Sequence, residues 1–94
     1  MDKEQIYNFL KDQGYPEFMR EKTYAKIVNF QPEIAGAFDE WMTSGASPTI
    51  AIEGFDFNYL VKEMKMKAIG AFITLDWLLR EPEQAKRALQ QGIK

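Results

Sequence analysis

Ala68-Ile69-Gly70-Ala71-Phe72-Ile73-Thr74-Leu75-Asp76-Trp77-Leu78-Leu79 is the stretch whose reading decides the fold of this chain. Nine of its twelve side chains are apolar and Asp76 is its one charge. A bilayer needs about 20 apolar residues in helical form, so this run is too short to cross one. A helix that is apolar nearly all round is covered on most sides, so the segment through Arg80 reads as a buried core helix. Asp76 precedes Arg80 by four residues, a spacing that lets the two pair along a narrow exposed stripe.

Working outward, Glu81-Pro82-Glu83 breaks and restarts the chain. A last helix over 83–91 places Ala85, Ala88 and Leu89 on one face, and Gly92 stops it. On the other side, Lys65-Met66-Lys67 reads as a tight turn. A fourth helix capped by Asp56 precedes it, with Leu60, Val61 and Met64 turned inward. Residues 49–53 read as a short strand or extended segment. A lone strand leaves its backbone groups unpaired, so it needs a second strand, not evident in the sequence, or a second chain.

Residues 46–48 form a loop. Pro32 opens a third helix with Ile34, Phe38, Trp41 and Met42 at helical spacing, and Gly45 ends it. Pro16 opens a second helix with Phe18, Met19, Tyr24, Ile27 and Val28 as its apolar positions; a break near Thr23 would split it in two. The first helix spans 2–13. Asp2 and Gln5 have the spacing of a capping box, Ile6, Phe9 and Leu10 share a face, and Gly14 suits the left-handed end.

The fold expected is mainly α: a small single-domain bundle of five to six helices over 1–94. N-terminal helices occupy 1–45, a loop or short strand 46–55, and a helix-turn-helix-like part with the last helix 56–94. Ile6, Phe9, Leu10, Phe38, Trp41, Leu60, Val61, Met64, Phe72, Leu75 and Leu79 are the expected core.

Composition supports a packed domain. Of 94 residues, 46% are hydrophobic and 14% aromatic, enough apolar surface to offset chain entropy. There is no cysteine, hence no disulfide, thiolate metal site or cysteine nucleophile. A small secreted domain often carries bridges, and residues 1–5 lack the basic start and apolar run of a signal peptide, so the expected location is cytoplasmic. The net charge is −2, with nine acidic and five basic residues over 1–55 and five and seven over 56–94. Dedicated nucleic-acid binders are normally basic, so this balance argues against one.

The chemical inventory is thin. With no histidine and no cysteine, the commonest general base and the commonest nucleophile are missing. Ser44 and Ser47, the only serines, lie in a polar loop with no histidine to activate them. No Gly-x-x-x-x-Gly-Lys-Ser/Thr phosphate loop occurs. Asp39 with Glu40, and Glu81 with Glu83, lack the ligand spacing of a calcium loop. The expectation is therefore no enzyme, no cofactor and no metal. Trp41 and Trp77 are the candidate interaction residues, because tryptophan is enriched at binding hot spots. Met42, Met64 and Met66 read as gap-fillers.

Residues 56–79 resemble a helix-turn-helix unit. Leu60, Val61, Met64, Met66, Ala71 and Leu75 stand at the apolar and small positions of that pattern. Lys65 stands where the family often has glycine, and Val61 where it has a small residue. The helix that would enter the groove reads Ala-Ile-Gly-Ala-Phe-Ile-Thr, with no Arg, Asn or Gln to read base edges. The resemblance implies a DNA-binding regulator in which Lys62, Lys65 and Lys67 contact phosphates. The expectation preferred here is a protein-interaction or structural module, acting on an unidentified protein partner or a second copy of the chain, without a membrane.

Overall fold

A computed structural model describes residues 2–92. The chain divides into two units, Met1–Phe30 and Gln31–Lys94. Among the described residues it is mainly helical, with one short two-stranded antiparallel sheet. No described helix is long and apolar enough to cross a membrane.

The N-terminal unit consists of α1 (Lys3–Asp12) and α2 (Glu17–Val28). The Asp2–Gln5 capping box forms in both directions: Gln5 N–H donates to Asp2 Oδ1 at 2.9 Å, and Asp2 N–H to Gln5 Oε1 at 3.0 Å. Gly14, at φ 87°, ends α1 as expected, and Tyr15 N–H donates back to Leu10 O at 3.0 Å. Helix α2 has no break. Thr23 is buried inside it, and its hydroxyl donates to Met19 O at 2.9 Å, so the polar group is satisfied without interrupting the helix. The two helices join through a polar and aromatic cluster. Tyr7 and Tyr24 meet edge to face, Lys3 Nζ sits over both rings at 5.3 and 5.2 Å, and Glu21 takes Lys3 and the Tyr7 hydroxyl.

The C-terminal unit is organised around α4 (Ala68–Arg80), whose bounds are those read from the sequence. Helix α3 (Pro32–Ser44), the hairpin β1 (Ala51–Ile52) and β2 (Phe55–Asp56), a π-helical segment (Tyr59–Glu63) and α5 (Pro82–Gly92) complete the unit. Helix α3, β1, the π-helical segment and α5 all pack on α4. Ile69, Ala71, Phe72, Leu75 and Leu78 are buried along it, with Ile34, Phe38, Phe57, Leu60, Ala85 and Leu89 around them. Phe72 is the hub of the aromatic core, with ring centroids 5.3 Å from Phe38, 5.0 Å from Phe57 and 5.2 Å from Trp41.

Four expectations need correction. The strand near 49–53 does have a partner in its own chain: it narrows to Ala51–Ile52 and pairs with Phe55–Asp56. Glu53 and Gly54, at φ 54° and 87°, make the two-residue turn with both central residues left-handed that suits a hairpin. The fourth helix is π-helical, with Met64 N–H donating to Tyr59 O at 3.1 Å, five residues back. Its wider winding leaves Leu60 buried but Val61 and Met64 only half-buried, while Asp56 Oδ1 caps it by accepting from Tyr59 N–H at 2.7 Å.

Asp76 does pair with Arg80, Nε to Oδ2 at 2.7 Å, but not on an exposed stripe: Asp76 is only 9% exposed. Its other oxygen, Oδ1, accepts the backbone N–H of Gln31 at 2.8 Å. Gln31 is the residue that precedes α3, so Asp76 fixes where α3 begins. The core membership also shifts. Phe9, Trp41, Val61, Met64 and Leu79 are half-buried, Ala88 is exposed, and Ile27, Phe30, Phe57, Ile69 and Leu78 join the buried set.

Candidate functional site

Glu33, Ala37 and Glu40 recur at spacings of four and three residues, so they share one face of α3. Pro32 occupies the first turn of α3, and Gly45, at φ 76°, ends it. Two local hydrogen bonds shape the exit: Ser44 Oγ donates to Glu40 O at 2.8 Å, and Ala46 N–H to Ser44 Oγ at 3.3 Å. The chain then passes beside α3 through residues 46–50. Between that segment and the Glu33–Ala37–Glu40 face lies an open cleft of about 300 Å³.

The walls of the cleft are chemically distinct. Ala37, Ala46, Pro48 and Ile50 supply small apolar surface. Glu33 and Glu40 are exposed at the α3 side, and neither carboxylate has a cation partner among the described residues. The backbone N–H groups of Ser47 and Thr49 likewise have no acceptor among the described residues. The charge extends beyond the cleft. From residue 27 to residue 61 the sequence contains Glu33, Asp39, Glu40, Glu53 and Asp56 and no lysine or arginine. Of these five, Glu53 is held by Lys86 at 3.1 Å and Asp56 caps the π-helical segment. The Glu53 carboxylate, with Glu83 beside it, holds the Lys86 ammonium above the ordinary lysine range.

The residues singled out in the sequence lie outside this cleft. Trp41 is half-buried and joins the aromatic core, with its ring 6.1 Å from Phe38 and 6.3 Å from Phe57. Trp77, on α4, is half-buried, and its indole N–H donates to Glu81 Oε1 at 3.0 Å. Lys62, Lys65 and Lys67 are exposed around the corner between the π-helical segment and α4. Lys65 adopts φ 61°, the left-handed conformation that the helix-turn-helix pattern gives to glycine. Beyond that corner the likeness thins: the first helix is one π turn, and residues 68–79 of the second are all buried or half-buried.

The cleft has no local signature in the sequence, because it forms only where separate segments pass beside each other. One signal was available: the absence of Lys and Arg over 27–61, which marks that surface as acidic. Among the described residues no three carboxylates gather as a metal-binding group. In comparisons with known proteins the chain matches no family model, no curated protein and no solved structure.

Proposed function

We propose that this protein is a non-catalytic interaction module that receives a protein partner at the α3 cleft. The observation that carries the reading is the cleft itself, about 300 Å³ with two unpartnered carboxylates on one wall. That volume lies at the lower end for small-molecule pockets, and it fits a few side chains of a partner better than a large cofactor. The chain also lacks histidine and cysteine, the residues most often used for acid–base and nucleophilic chemistry. The DNA-binding alternative asks for a second helix with a free face. Residues 68–79 include no exposed position, which speaks against it.

Site-specific photocrosslinking in the full chain tests the reading. A photoreactive residue at Ala46, on the cleft wall, is expected to give one discrete adduct with a cellular protein. The same group at Arg87, exposed on α5, is the control. Equal labelling at both positions, or none at either, overturns the proposal.

A further inference from the structure

We infer that the occupant of the α3 cleft is an extended, basic segment of a partner protein, with Lys or Arg at positions i and i+3. The inference rests on reading the cleft as a contact site, and adds the chemistry of what enters it.

Charge comes first. Glu33 and Glu40 line the α3 wall of the cleft without cation partners among the described residues, and no basic side chain occurs anywhere over 27–61. An anionic partner would meet like charge, and a neutral one would leave both carboxylates solvated but unused. A basic segment converts them into two ion pairs.

Spacing comes second. Glu33 and Glu40 are seven residues apart on α3, a rise of about 10.5 Å. In a polyproline-type chain, residues i and i+3 point the same way and lie about 9.3 Å apart. A strand places i and i+2 on one side at only about 6.6 Å, which is too close. Two basic side chains three residues apart therefore reach both carboxylates from one face of an extended segment.

Backbone comes third. Ser47 and Thr49 present N–H groups with no acceptor among the described residues. An extended chain lying in the cleft offers carbonyls to them, and Pro48 with Ile50 gives its aliphatic portions an apolar floor. Exposed ion pairs contribute modestly, so the affinity expected is weak and strongly reduced by salt.

The test is an NMR titration of the full-length protein with an Arg-Pro-Pro-Arg peptide capped at both ends. A Glu-Pro-Pro-Glu peptide and an Arg-Arg-Pro-Pro peptide serve as controls. The expected result is saturable amide shifts confined to 33–50, with the Arg-Pro-Pro-Arg peptide binding more tightly than either control. The combined E33Q and E40Q substitutions, both at exposed positions, are expected to weaken binding about tenfold, two surface ion pairs' worth. A thermal melt of that variant confirms that the fold is kept. Three results overturn the inference: no shifts, shifts centred elsewhere, or equal affinity for the variant. Concentration-dependent shifts at Glu33 and Glu40 without peptide overturn it too, because they make a second copy the occupant. A discrete photoadduct at Ala46 together with a failed titration removes the basic segment and leaves the interaction module standing.

Discussion

The N-terminal helix pair and the C-terminal unit use opposite means of holding helices. Helix α1 has the better local start, with a reciprocal capping box, a basic residue in its last turn and a glycine at its left-handed end. Helix α4 begins at Lys67 with no side-chain cap at all. Yet α4 is enclosed by four other elements, while α2 leaves Phe18, Met19 and Val28 exposed. Helices of 10 and 12 residues lie near the length at which an isolated helix is marginal in water. Good caps make a short helix tolerable, whereas enclosure makes a helix obligatory, even one without a cap.

Two phenylalanines put the largest number on that difference. Phe72 is 0% exposed and Phe18 is 80% exposed. Phe72→Ala removes the hub of the aromatic core and is expected to lower stability by about 3–5 kcal/mol. Phe18→Ala should change it by no more than about 0.5 kcal/mol. Urea unfolding of the full chain measures both, and similar costs at the two sites would break the comparison.

The next contrast is between two carboxylates. Asp76 accepts from Gln31 N–H and from Arg80 inside the C-terminal unit, whereas Glu21 takes Lys3 and Tyr7 at the surface. Asp76→Ala removes the acceptor of the half-buried Gln31 N–H and the carboxylate that pairs with Arg80, at an expected cost of about 1–3 kcal/mol. Glu21→Ala should cost less than about 1 kcal/mol, since exposed pairs are screened by water and salt. Hydrogen exchange at the Gln31 amide provides a local readout: it should accelerate in the Asp76 variant and not in the Glu21 variant.

What the sequence made legible follows the same division between local and distant causes. The bounds of α4 were readable because a run apolar all round needs no partner to be recognised. The capping box and the Gly45 stop were readable because their chemistry is confined to one turn. The partner of β1 was missed because two strands of two residues each are too short to show alternation, and Glu-Gly fills a turn usually announced by Asn-Gly or Asp-Gly. The π-helical winding has no residue code of its own. For Asp76, the Arg80 half of the contact was visible at four residues, but Gln31 lies 45 residues away. The candidate site was half legible: its acidity is written over 27–61, while the cleft exists only because residues 46–50 pass beside α3.

Two left-handed positions, one in each unit, give the smallest contrast between paired substitutions. Gly14, in the N-terminal unit, sits at φ 87°; the C-terminal unit places Gly45 and Gly54 in that region too, but also two residues with a Cβ, Glu53 at φ 54° and Lys65 at φ 61°. A side chain with a Cβ crowds its own carbonyl in that conformation, at a cost of about 1 kcal/mol, which glycine avoids. Lys65→Gly is therefore expected to stabilise the protein by about 0.5–1 kcal/mol, reduced somewhat by the greater freedom of glycine in the unfolded chain. Gly14→Ala should destabilise by about 1 kcal/mol for the converse reason. Thermal melts compare the two, and opposite signs are required. If Lys65→Gly instead lowers the melting temperature, the lysine side chain contributes to the fold more than its backbone costs, and the corner between the π-helical segment and α4 is held by that side chain as well as by the burial of α4.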